Sequence, residues 1–266
     1  MKVAIIGAGN MGMAFAKSFI QYELVKKENL FLIEKNAERA KALRQENAGV
    51  VIDTINAKIG EYDLIILSVK PQDFAFLQDE LCAVIQPNQL ILSIMAGISI
   101  DRIKSSLNHN LIVRAMPNTP ALLGMGMTAF SAAGDITLSQ LKKIENLINS
   151  TGRAIFLEDE SLLDAVTALS GSGPAYFFYL VKAMIEAGKE MGFEDAMASL
   201  LVKQTMLGSY HLINNSEKNL DELIQAVASK GGTTEAALKR FEEGLLSYNL
   251  KEGIFAAQKR AMELSN

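Results

Sequence analysis

Up to about residue 157 the chain alternates short apolar runs with longer stretches that mix polar and apolar positions at helical spacing. This is the pattern of a parallel sheet joined by crossover helices. The runs predict strands at residues 2–6, 30–34, 64–69, 89–94 and 111–116, with weaker ones at 127–130 and 154–156. Several are apolar at every position, as a strand covered on both faces requires. After Asp159 the strand pattern stops, and five helix-length segments follow at 174–191, 194–213, 219–228, 234–244 and 251–264. In the first of these, Phe177, Leu180, Val181, Met184, Ile185 and Gly188 form one stripe. Pro174 suits its first position and Gly192 its stop. The expected fold class is α/β: a parallel-sheet domain over residues 1–158, then an all-helical domain over residues 159–266.

The joint between the first run and the first helical stretch carries a candidate chemistry. Gly7-Ala8-Gly9-Asn10-Met11-Gly12 follows an apolar strand and opens a helix, the context in which three glycines serve a dinucleotide. Gly7 makes the tight turn, Gly9 lets backbone approach a pyrophosphate, and Gly12 lets helix and strand pack closely. Glu34, at the end of the second run, stands where an acid meets an adenosine ribose. That acid favours NADH, while Lys35, Asn36 and Arg39 directly after it could embrace the extra phosphate of NADPH. Strands of such a fold end at the ligand crevice, so the residues after each run are candidate contacts. The expected nucleotide set is Gly7, Gly9, Asn10, Met11, Gly12, Glu34, Lys35, Asn56, Ser68, Val69, Lys70, Pro71, Ala96 and Asn118.

Composition narrows the partners. A net charge of −4 with no cluster of lysine or arginine gives no field for nucleic acid, and no apolar run is long enough for a membrane helix. A cytoplasmic protein without metal is expected, since its two histidines, His109 and His211, have no second ligand at a familiar spacing. One cysteine, Cys82, excludes disulfides within the chain and reads as a buried structural thiol. A helical half of about 110 residues this rich in Met, Leu and Ala needs a second copy to cover its apolar faces. A homodimer or larger assembly is therefore expected.

Two glycine-rich segments mark the helical half: Ser170-Gly171-Ser172-Gly173-Pro174 and Ser229-Lys230-Gly231-Gly232-Thr233-Thr234. Each reads as a helix entry whose backbone N–H groups converge on an anion, against the plainer reading of capping by Ser172 or Thr233. Ser172, Gly173, Ser229, Gly231, Gly232, Thr233 and Thr234 are the expected substrate set, for a ligand bearing a carboxylate.

Taken in order, these motifs, with Val69-Lys70-Pro71-Gln72, Met116-Pro117-Asn118-Thr119-Pro120 and Ala165-Val166-Thr167-Ala168-Leu169 before Ser170, resemble the pyrroline-5-carboxylate reductases over essentially the whole length. The resemblance implies a Rossmann-type domain followed by a helical dimerisation domain, and dimers that assemble further into a decamer of five. It implies reduction of a cyclic imino acid to L-proline, the last step of proline biosynthesis, with NADPH or NADH as donor. It also implies that Thr234 is the catalytic hydroxyl on the pyrroline nitrogen, and that backbone amides of 229–233 hold the substrate carboxylate. Many members have proline where this chain has Lys230. Two other readings keep the fold: a sensor that binds the nucleotide without turnover, and a β-hydroxyacid-type dehydrogenase. The latter needs a catalytic lysine, for which Lys182 and Lys189 are the candidates.

Overall fold

The computed structural model describes residues 1–265. By contact the chain divides into two compact units, one of residues 1–174 together with the chain from Ala257 onward, the other Ala175–Ala256. The first unit is built on strands β1 (Val3–Ile6), β2 (Leu30–Ile33), β3 (Val50–Ile52), β4 (Leu64–Leu67), β5 (Leu90–Ser93), β6 (Ile112–Met116), β7 (Gly126–Ala132) and β8 (Gly152–Phe156). Its helices are α1 (Asn10–Gln21), α2 (Ala37–Glu46), the short α3 (Pro71–Phe74) and α4 (Gln78–Cys82), α5 (Ile100–Leu107), α6 (Leu138–Asn149) and α7 (Leu162–Val166). After α7 come α8 (Gly173–Glu190), α9 (Asp195–Asn215), α10 (Leu220–Val227), α11 (Thr233–Glu243) and α12 (Leu246–Ser265).

The sheet runs β3-β2-β1-β4-β5-β6-β7-β8. Its first six strands are parallel in the order of a dinucleotide-binding fold, which reverses direction between β1 and β4 and so opens a crevice beyond their carboxyl ends. The two weaker strands differ from a purely parallel expectation: β7 runs antiparallel to β6, and β8 lies parallel to β7. The short 3-10 turn Thr119–Leu123 is the reason. Too brief for a crossover helix, it returns the chain along the edge of β6 instead.

Period-two alternation divides each strand between two cores. Ile5, Leu32, Ile66 and Val113 pack with Phe15 and Phe19 of α1 and Ile148 of α6. Ile6, Ile65, Leu67 and Ile112 meet Phe74, Leu81, Ile103 and Leu107 on the opposite face. Both faces are covered, so the apolar runs need no polar side. Cys82 departs from the expectation of a buried thiol. It ends α4 on the solvent side, exposed, with its Sγ donating to the carbonyl of Ser106 at 3.2 Å.

The second unit is different in kind. Gly188 of α8 packs on Ala198 of α9, which is buried, yet most large apolar side chains of these helices face solvent, Phe178 at 68% exposure and Leu200 at 62%. Among the described residues no helix is long and apolar enough to cross a membrane.

Candidate functional site

Backbone geometry shows why the first joint is written in glycine. Gly7 leaves β1 with φ +92°, donating its N–H to the carbonyl of Ile33 at 2.9 Å. A Cβ on it would lie 2.6 Å from the carbonyl oxygen of Ser68, and one on Gly12 would collide with the carbonyl of Gly7. Packing therefore excludes any side chain at both positions. Gly9 is glycine for a different reason. It is the N-cap of α1 without a side chain to satisfy the first-turn N–H groups, and a Cβ there would meet no protein atom within 4 Å. That open space before an uncapped helix N-terminus fits a pyrophosphate, and Asn10 and Met11 supply the first-turn amides.

Beside this turn is a cleft of about 430 Å³. It brings together Gly7, Glu34, Lys35, Val69 and Lys70 of the expected nucleotide set. Glu34 is held on both sides: Oε1 accepts the N–H of Asn36 at 2.9 Å, and Oε2 lies 3.6 Å from Nε of Arg39. Arg39 in turn donates to the carbonyl of Ala8 at 2.7 Å, so one guanidinium ties the acid to the glycine turn. Lys70 is the N-cap of α3 and Pro71 its first residue, which gives that turn a fixed entry. Sequence reasoning missed Asp73, Phe76 and Leu77, which also line the cleft. The signal available was Phe76, an aromatic in a short segment directly behind the Lys70 turn.

Other expected residues stand outside this cleft. Asn56 caps the 3-10 turn Ala57–Glu61 through its Oδ1, which accepts the N–H of Lys58. Ser68 donates its N–H to Ile6, holding β4 to β1 at the crevice. Ala96 is half-buried in the turn after β5, beside Gly97, on which Leu264 packs. Asn118 has its side chain occupied: Oδ1 accepts from Met127 N at 2.9 Å, and Nδ2 lies 3.2 Å from both the carbonyl and the hydroxyl of Ser170.

The two glycine-rich segments of the helical half differ from each other. At the first, α7 runs into a π-turn, Thr167–Gly171, and then into α8. Ser172 has a helical backbone, with φ −83° and ψ −20°, and donates its N–H to the carbonyl of Thr167. It is therefore neither a cap nor the start of a fresh helix, and the anion-binding terminus expected at Ser172 and Gly173 is absent. A wide turn inside a continuing helix stands there instead.

The second segment is a true terminus. Gly232 is the N-cap of α11 with no side-chain cap, so Thr233 is not the capping residue. Gly231 adopts φ +73°, its N–H donates to Oε2 of Glu235 at 2.7 Å, and Gly232 N–H donates to the carbonyl of Ser229. These bonds fix the loop and leave the first-turn amides of α11 without intrahelical acceptors. Thr234 is half-buried and lines a cavity of about 560 Å³ whose other walls include Leu212, Ile213, Leu223, Ile224 and Leu238. The lysine candidates of the dehydrogenase reading are exposed ion-pair partners, Lys182 with Glu186 and Lys189 with Asp195.

The pyrroline-5-carboxylate reductase of Pseudomonas aeruginosa is 36% identical over 99% of this chain and 97% of that protein. The chain belongs to the pyrroline-5-carboxylate reductase family. The reductase of Aquifex aeolicus is 34% identical, covering 99% of this chain and 97% of its own. The family model for pyrroline-5-carboxylate reductase dimerisation matches residues 160–264, and that described as NADP oxidoreductase coenzyme F420-dependent matches residues 2–97. Among solved structures, Plasmodium falciparum pyrroline carboxylate reductase with NADP bound superposes with a TM-score of 0.92 at 25% identity. That match covers 100% of this chain and 98% of the other. The 1-pyrroline-5-carboxylate reductase of Streptococcus pyogenes gives 0.88 at 30%, covering 99% and 98%. Both α1 and α11 begin at a glycine N-cap with no side-chain cap, so the first-turn amides of each are left for a partner from outside the helix.

Proposed function

We propose that the chain reduces 1-pyrroline-5-carboxylate to L-proline, the last step of proline biosynthesis, in the cytoplasm. The observation that carries this is the loop at 229–234: a glycine-rich helix entry whose N-cap, Gly232, offers no side-chain cap, with Thr234 in the first turn that follows. Residues 1–158 serve as the nucleotide domain and 159–266 as the dimerisation and substrate domain. A reduced nicotinamide nucleotide, when bound, supplies the hydride.

Every other requirement falls on the chain. The first-turn amides of α11, which have no intrahelical acceptor, receive the substrate carboxylate, while the N–H groups of Gly231 and Gly232 are spent on holding the loop. Thr234 hydrogen-bonds the ring nitrogen, holding the iminium in one orientation as its charge is lost, and orientation supplies much of the rate. A threonine hydroxyl is far too weak an acid to be the source of the proton, which comes from water or the substrate itself.

For the donor, Glu34 alone argues for NADH. Its engagement by Arg39 and Asn36 N–H, beside Lys35, argues the other way, because a phosphate meets a cation rather than a free carboxylate. With the NADP of the Plasmodium structure in the same family, this supports NADPH as the preferred donor. The assembly we propose is a homodimer, with five dimers joining as a decamer.

The test is steady-state reduction of pyrroline-5-carboxylate with each cofactor, by the wild type and by Thr234→Ala. The variant is expected to lose turnover by about 100-fold, the scale of one transition-state hydrogen bond, with NADPH affinity nearly unchanged. Equal loss in both would make Thr234 a structural residue.

A further inference from the structure

Strand β6 and the segment behind it hold the α7 helix and its π-turn at three points. Arg114, almost fully buried, pairs with Glu160 and with Asp164 of α7, each at 2.9 Å. Met116 packs so closely on Gly171 that a Cβ there would lie 2.8 Å from its Cε. Asn118 reaches Ser170. The first two contacts are charge and packing; the third answers a defect in the helix. Pro174 has no N–H, so the helical hydrogen bond it would give to the carbonyl four residues earlier is missing, and that carbonyl belongs to Ser170. The Asn118 amide is the donor that meets it.

The amide has no freedom to do anything else. The backbone N–H of Met127 requires the oxygen on its side, which fixes the nitrogen toward Ser170, and both donor contacts of Nδ2 are spent there. We propose that Asn118 is a positioning residue of the reductase, not a ligand of the nucleotide: it replaces the N–H that Pro174 lacks and so sets the π-turn that carries Ser170, Gly171 and Ser172. This rests on the function proposed above, to which it adds that the π-turn, not a helix terminus, presents Ser172 and Gly173 to the substrate.

The test is a double-mutant cycle of Asn118→Ala and Pro174→Ala, with Asn118→Asp as a variant of equal size that keeps the acceptor for Met127 and loses both donors. Asn118→Ala and Asn118→Asp should lower kcat/KM for pyrroline-5-carboxylate by about tenfold, the worth of one buried hydrogen bond. NADPH affinity, read from cofactor fluorescence without substrate, should stay within about twofold, within the noise of additivity. Pro174→Ala restores a backbone donor to Ser170, so the double variant should recover most of the loss. The proposal is overturned if NADPH affinity falls as far as kcat/KM, if the Asn118 variants behave as wild type, or if the double variant is no better than Asn118→Ala. Wild-type protein that consumes no NADPH with this substrate would sink the functional reading itself. The strut is then judged from unfolding midpoints, where rescue by Pro174→Ala upholds it and simple additivity overturns it.

Discussion

Phe76 is 76% exposed, yet it lines the cleft that Glu34 and Lys35 also border. An aromatic face left to solvent beside the cleft proposed for the nucleotide is suited to stacking on the base, worth about 1 kcal/mol. The chain has no tryptophan, so Phe76→Trp creates a sole fluorescent reporter. Its emission should be quenched by NADPH and by the adenosine half of the cofactor alone; unchanged emission with both would place the base elsewhere. Phe76→Ala should raise KM for NADPH about fivefold, in line with that stacking energy, and leave kcat alone. Tyr62 makes a different case. It is buried against Phe31, ring centroids 4.4 Å apart, and its hydroxyl has no hydrogen-bond partner among the described residues. Burial first, and the charge of Glu61 second, push its pKa from 10.0 up to about 12. The folded chain therefore keeps a proton that the unfolded chain gives up, so stability is full below pH 10 and declines as the pH rises toward 12. Tyr62→Phe should remove that decline and add about 1 kcal/mol at neutral pH by deleting an unpaired hydroxyl, both measurable by denaturant unfolding.

At the scale of elements, β6 carries a charge that its apolar neighbours would not suggest. Arg114 is buried between Glu160 and Asp164, and Oε1 of Glu160 also accepts the N–H of Ile100 at 2.8 Å. Arg114→Leu leaves two carboxylates facing each other without their cation, and should cost about 3 kcal/mol. A shift of less than about 0.5 kcal/mol, as for an ordinary surface change, would mean that the pair is solvated. Five of the strands could be read from sequence because both of their faces are buried and the apolar run is continuous. The strand β3 could not, being only Val50–Ile52 and partly exposed. Nor could the direction of β7, since an apolar run has no sense of orientation. The π-turn was invisible for a related reason: five residues at a wider helical pitch leave the apolar spacing almost unchanged, so Ser172 looked like the start of a helix. The glycines of the first turn were legible because collisions with backbone at residues 7 and 12 forbid any alternative. Phe76 was not, because exposed aromatics are common and only the cleft gives this one a purpose.

At the scale of the molecule, α8 to α11 present an apolar surface that their own packing does not cover. The match of residues 160–264 to a dimerisation family supports a homo-oligomer, and another copy of the chain is the cover we propose for this surface. Sedimentation at micromolar concentration should find a dimer or a multiple of it, and Phe178→Asp, which places a charge on an aromatic 68% exposed in α8, should shift the mass toward the monomer. An unchanged mass would move the interface to another face. Helices that bury so little among themselves have another property: the mate completes their interior. Mass action then governs folding itself, so that dilution acts as a denaturant and the melting temperature climbs with every increase in the amount of protein dissolved.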